Sequence, residues 1–165
     1  MPLETDLLDV RLLIARGELD QAERLLAEAV ERDPRDLGAL MLQGAVLLQQ
    51  RELSGALAVY ERAVALAPDS AEALNGCARC CLALERDGEA LEHAFAARDR
   101  LALGDNFVQA GPVYLSIVLS LRRQRRYREA LKLAEEGLSR SGDAVLARWA
   151  GTVEEELAEA QKERC

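Results

Sequence analysis

Residues 37–70 read LGALMLQGAVLLQQRELSGALAVYERAVALAPDS, and the alternation of large and small side chains in this stretch decides the fold. Leu40, Leu47 and Tyr60 are the large apolar residues of a helical pattern, while Gly44, Ala56 and Ala63 fall where a second helix has to come near. Two antiparallel helices approach closely only where one side of the contact lacks a bulky side chain, and the larger residues then fill the space around the crossing. Pro68 ends the second helix by withholding an amide donor.

The same register returns on both sides of this stretch. Ala22, Ala56 and Ala90 stand 34 residues apart, as do Ala29, Ala63 and Ala97, and again Val10, Gly44 and Ala78. A fixed period of this size marks an array of helical repeats. The unit before, 3–36, keeps Val10, Leu13, Ala22, Leu26, Ala29 and Pro34, with Gly17 in the turn. Its Asp6 and Asp9 stand where large apolar residues are usual, which suits a solvated end of an array. The unit after, 71–104, keeps Leu74, Ala78, Ala90 and Ala97, with Ala94 in place of the aromatic and Ala102 in place of the proline.

A fourth unit, 111–144, appears after a register shift of about six residues. Tyr114, Ile117, Val118, Leu121, Tyr127, Ala130, Ala134 and Gly137 follow in order. The inserted 105–110 reads as a connector holding Phe107 and Val108, and Pro112 belongs in the first turn of the helix that follows, where a missing amide costs nothing. Beyond it, Leu146, Trp149, Val153 and Leu157 recur at helical spacing among Glu154, Glu155, Glu156 and Glu159. They predict a capping helix over 145–163 that lays its apolar stripe on the last unit and turns its acids to water.

Over nearly the whole chain the pattern resembles the tetratricopeptide repeat family. The resemblance implies an all-α, right-handed solenoid of four helix-turn-helix repeats plus a C-terminal capping helix. It further implies one domain spanning 1–165 and a non-catalytic role as adaptor, scaffold or chaperone-like binder. In that family the first helix of each unit lines a concave groove through its second, fifth, ninth and twelfth residues. Carried onto this sequence, these are Glu4, Leu7, Arg11 and Ile14, then Gly38, Met41, Ala45 and Leu48. The third unit supplies Glu72, Asn75, Arg79 and Leu82, and the fourth Pro112, Leu115, Leu119 and Arg122. So apolar a groove implies a protein or peptide partner with apolar anchors, held extended or as an amphipathic helix, with Arg11 and Arg79 orienting its acidic groups. The alternative is a homo-oligomeric scaffold, or self-capping, in which a second copy or the C-terminal helix covers the same surface.

One branch of the family holds acidic C-terminal tails in a clamp of Lys, Asn and Arg donors. Placed from the first unit, the clamp positions hold Leu7, Arg11, Leu42, Glu72 and Gly76, of which only Arg11 can donate to a carboxylate. In length and acidity the chain also resembles the bacterial type III secretion chaperones of this repeat class, which differ in having an extra N-terminal helical segment and three repeats.

Composition agrees with helix throughout: 50% of the residues are hydrophobic, carried by Leu and Ala, with only 4 prolines and no glycine-serine linker. The start, Met-Pro-Leu-Glu-Thr-Asp, lacks the basic and apolar regions of a signal peptide, and no uncharged run is long enough to cross a bilayer, so a cytoplasmic protein without membrane insertion is expected. A net charge of −8 repels a phosphate backbone and speaks against nucleic-acid binding.

Two local clusters compete for a sharper reading. Arg122, Arg123, Arg125, Arg126 and Arg128 crowd the turn of the fourth unit. They read as a solvated turn whose cations offset the carbonyl end of the helix before it, or as an anion-binding patch. An RNA site would need free stacking aromatics, and Tyr127 is claimed by the core pattern. The second cluster, Cys77, Cys80 and Cys81, invites a metal or redox reading. Cys77 and Cys81, however, take positions that are apolar in neighbouring units, and His93 is the only histidine, so buried thiols in a reducing compartment are expected, with no metal and no cofactor. With no phosphate loop and no nucleophile beside a base, the chain does not read as an enzyme.

Overall fold

The computed structural model describes residues 7–101 and 107–163. Among them every regular element is a helix: α1 (Leu7–Arg16), α2 (Leu19–Arg32), α3 (Leu37–Gln49), α4 (Leu53–Leu66), α5 (Ala71–Ala83), α6 (Asp87–Leu101), α7 (Phe107–Arg123), α8 (Tyr127–Ser141) and α9 (Ala144–Lys162). The chain divides into two compact units, Met1–Asp69 and Ser70–Cys165.

In the first unit α1 packs on α2 and α3, and α3 packs on α2 and α4. Val10, Ala22, Leu26, Leu40, Ala56, Tyr60 and Ala63 are its buried centre. Gly44 shows why the small positions repeat: a Cβ added there would stand 2.8 Å from the Tyr60 ring, closer than atoms pack. The α2–α3 link turns at Pro34, and Asp36 then caps α3 by accepting from the Ala39 amide at 3.0 Å.

The second unit repeats the arrangement and extends it. Each helix from α5 to α9 packs on the next, while α7 also touches both α5 and α9 directly. Leu74, Ala78, Ala90, Ala97, Tyr114, Ile117, Leu121, Ala134, Leu146 and Val153 are buried. A Cβ on Gly137 would come within 2.6 Å of Tyr114 and 2.8 Å of Leu146, so this one glycine lets α8 meet both α7 and the capping helix. Ser70 caps α5 through the Ala73 amide, and Asp143 caps α9 through the amides of Val145 and Leu146.

The turns inside the four helix pairs share one backbone geometry. Gly17, Arg51, Glu85 and Arg125 all have positive φ, at 77°, 68°, 62° and 58°. The amide of each bonds the carbonyl three residues back, and the next amide bonds the carbonyl five back, as in Glu18 to Leu13, Glu52 to Leu47, Arg86 to Cys81 and Arg126 to Leu121. That pair of bonds is the Schellman closure of a helix, and it satisfies carbonyls that would otherwise be left open. Glu18, Glu52 and Arg126 then begin the following helices without a side-chain cap.

One element departs from the expectation drawn from sequence. Residues 107–110 are not connector: α7 begins at Phe107, and Pro112 lies inside it, not in its first turn. The apolar spacing of Ala110, Tyr114, Ile117 and Leu121 runs upstream past the proline, and Ala110 is buried. That packing outweighs the loss of the amide that would have bonded the carbonyl four residues back. Gly111 makes the extension useful, since a Cβ there would lie 2.8 Å from Asp143 Cβ, the residue that caps α9. The side chains of Phe107 and Val108 lie outside the described residues, as does the rest of the inserted stretch before them.

Candidate functional site

The groove positions carried over from the repeat pattern fall on the first helix of each pair, and those helices touch within each unit. In the first unit, Leu7, Arg11 and Ile14 lie on α1 and Met41, Ala45 and Leu48 on α3. Arg11 is exposed, and the other five are half-buried, neither core nor open surface. Gly38 sits where α1 and α3 meet, with Leu7 Cδ1 2.9 Å from where its Cβ would be. Glu4 lies outside the described residues.

The second unit presents Asn75, Arg79 and Leu82 on α5 and Leu115, Leu119 and Arg122 on α7. Leu82, Leu115 and Leu119 are half-buried, while Arg79, Glu72 and Pro112 are exposed. Two of the polar positions are already engaged. Asn75 is buried, and Ser116 Oγ donates to its Oδ1 at 2.7 Å, which ties α5 to α7. Arg122 donates through Nε to both carboxylate oxygens of Glu156, at 3.0 and 2.9 Å, and its guanidinium lies 5.0 Å from the centre of the Trp149 ring. Its pKa is raised above the ordinary arginine value, chiefly by the hydrogen bond to Glu156. The capping helix therefore reaches the groove-lining end of α7 through an acid expected to face water.

Elsewhere the arginine turn is largely structural. Arg123 donates to the Leu82 carbonyl at 2.8 Å and pairs with Asp87 at 3.0 Å, covering the carbonyl end of α5. Arg126 pairs with Glu129 at 2.8 Å, which holds that carboxyl below its usual value. Tyr127, expected in the core, is half-exposed and lines a surface cavity beside these arginines.

Cys77, Cys80 and Cys81 are fully buried thiols, and burial pushes Cys80 up to about 11. Such a thiol is protonated at neutral pH and a poor nucleophile. Among the described residues no group of three His, Cys, Asp or Glu side chains is placed to hold a metal ion. No helix among them is long and apolar enough to cross a membrane.

Comparison with known proteins agrees with this geometry. Two family models, both described as tetratricopeptide repeat, match residues 7–71 and 47–102 and together span more than half of the chain. Among solved structures, the pilF protein of Pseudomonas aeruginosa superimposes with a TM-score of 0.78 at 21% identity, over 91% of this chain and 68% of its own. TTC0263, a thermophilic TPR protein of Thermus thermophilus, gives 0.77 at 18% identity, over 90% of this chain and 79% of its own. The TPR2B domain of yeast Sti1, solved as a complex with pHsp70, gives 0.66 at 21% identity, over 70% of this chain and 93% of its own. No curated protein sequence matches the chain.

Proposed function

This chain belongs to the tetratricopeptide repeat family, and from that premise we propose that it is a non-catalytic binding protein whose partner is a peptide segment with apolar anchors. The observation that carries the reading is the row of half-buried Leu82, Leu115 and Leu119 on the adjoining helices α5 and α7, matched in the first unit by Ile14, Met41 and Leu48 on α1 and α3. These helices already bury Leu40, Leu47, Cys81, Ile117, Val118 and Leu121 on their core sides. A helix apolar on a second side gains by covering it, and an amphipathic or extended segment does so. Exposed Arg11 and Arg79 can orient acidic groups of that segment, whereas Arg122 is committed to Glu156.

The yeast Sti1 domain is named for its complex with pHsp70, but fold likeness at 21% identity does not carry that ligand here. Of the clamp positions Leu7, Arg11, Leu42, Glu72 and Gly76 only Arg11 offers a cation, and one donor does not make a clamp for a terminal carboxylate, so the proposed partner is recognised chiefly by apolar contact.

Met41→Glu and Leu119→Glu, made separately and together, test the reading. Neither residue lies at a close crossing, so helicity and melting should stay near the parent while capture of the partner from a lysate of the native organism is lost, or an oligomer falls to monomer in sedimentation. Normal capture by the double variant, with no change in mass, would remove the apolar faces from consideration.

A further inference from the structure

Exposed large apolar residues are few among the described residues: Leu8 at 62%, Leu12 at 49%, Leu66 and Val145. The first two lie one turn apart on α1, with exposed Ala15 a turn further on. At about 100° per residue the three fall within roughly 60° of one another and form a single row along the helix. Leu7, Arg11 and Ile14, the groove positions of α1, lie about 100° or more from Leu12 around the helix axis.

The repeat itself shows what such a row receives. Leu12 corresponds to Val46 and Cys80 in the next two units and to Ser120 in the fourth, and all three are 0% exposed. The helices that carry Val46 and Ser120 receive the second helix of the pair before, α2 on α3 and α6 on α7. Leu8 corresponds likewise to half-buried Leu42 and to buried Gly76 and Ser116. On α1 the seat that takes a helix elsewhere in the array is therefore apolar and open. A purely solvated end would carry polar side chains there.

Charge on the flank of the row selects the occupant. Asp9 and Arg16 are exposed along one edge of it, and neither makes an ion pair among the described residues. Two α1 helices laid antiparallel about Leu12 bring Leu12 to Leu12, and they bring Leu8 to Ala15 and Asp9 to Arg16 of the second copy on both sides of the axis. Large then meets small, and each carboxylate meets a guanidinium. A parallel pairing would set Asp9 on Asp9 and Arg16 on Arg16. We propose that α1 is the twofold interface of a homodimer, in which the second copy supplies the helix that this seat lacks. One helix edge from each copy buries less than a standard interface, so the affinity falls in the micromolar range.

Sedimentation equilibrium of the full chain, from about 1 to about 500 µM, should show monomer and dimer and nothing larger. Leu12→Glu should weaken the dimer at least about tenfold with helicity unchanged. Asp9→Arg and Arg16→Asp should each weaken it as well. An equimolar mixture of those two variants should form the heterodimer at least about tenfold more tightly than either homodimer, because every charge pair across the axis is then complementary. In a Cys165→Ser background, Leu12→Cys should join two chains through a disulfide on air oxidation, whereas Ala15→Cys, about 9 Å along the axis from its counterpart, should not. The interface uses no groove residue, so Met41→Glu/Leu119→Glu should leave the dimer intact, and the two readings fail separately. A chain still monomeric at about 500 µM, a mass that grows beyond the dimer, an unaffected Leu12→Glu, no preference for the mixed-charge heterodimer, or equal cross-linking at positions 12 and 15 each overturns the proposal.

Discussion

At the residue scale, the backbone of the four within-pair turns asks for a left-handed residue and receives glycine only once. Arg51, Glu85 and Arg125 adopt positive φ against the steric preference of an L side chain, at a cost of about 1 kcal/mol each. Arg51 is exposed, so it isolates the backbone effect, whereas Glu85 also approaches Arg123. Arg51→Gly should therefore stabilise the chain by about 0.5–1 kcal/mol, less than the full strain because glycine also loosens the unfolded chain. Urea denaturation measures it, and a lower midpoint would show that the turn is not strained. Beyond Gly17 this geometry was not legible in sequence, because Arg and Glu carry no signal for positive φ. By contrast Gly44 was legible, since only a residue without Cβ fits against Tyr60.

At the scale of elements, α7 is the hub of the second unit, and Tyr114 is its most consequential side chain. Its ring is buried, and its hydroxyl donates to Glu136 on α8. Burial first, then the bond to Glu136 and the charge of that carboxylate, pushes its pKa from 10 up to about 12. In the unfolded chain the phenol ionises near its ordinary value of about 10. The contribution of this group is therefore fully present below pH 10 and is lost as pH rises toward 12. Tyr114→Phe should be less stable at neutral pH by about 0.5–1.5 kcal/mol, for the lost hydrogen bond, and should lose less of its stability above pH 10 than the parent does. Parallel alkaline losses in urea titrations of the two proteins would refute the assignment. The start of α7 was not legible in sequence, because Pro112 is a stronger local signal than the apolar spacing that overrides it. Arg122 on Trp149 and Glu156 was hidden for a different reason: its partner is 34 residues away, on a helix foreseen only as a cap.

For the molecule as a whole, the fold was readable because close crossings restrict residue size wherever they recur, and the 34-residue period repeats that restriction. The faces between helices were readable only through family resemblance, since half-buried leucines satisfy packing and binding equally well. Each compact unit holds its own buried centre, so damage should stay local. Gly44→Ala, which forces a methyl group into the Tyr60 ring, should destabilise by about 1–3 kcal/mol. Hydrogen exchange should then speed up in α1 to α4 far more than in α7 to α9, and uniform acceleration throughout would contradict this.

The shared turn also bears on how such a chain can acquire new properties. Because two backbone hydrogen bonds close each turn, the side chain at its left-handed position makes no bond that closure needs: Gly17, Arg51, Glu85 and Arg125 all occupy it. These positions are attachment points that selection, or an engineer, can decorate without redesigning the helices on either side. A reporter dye or an added charge belongs first at Arg51, where the substituted side chain meets water and the two closing bonds are made by backbone alone.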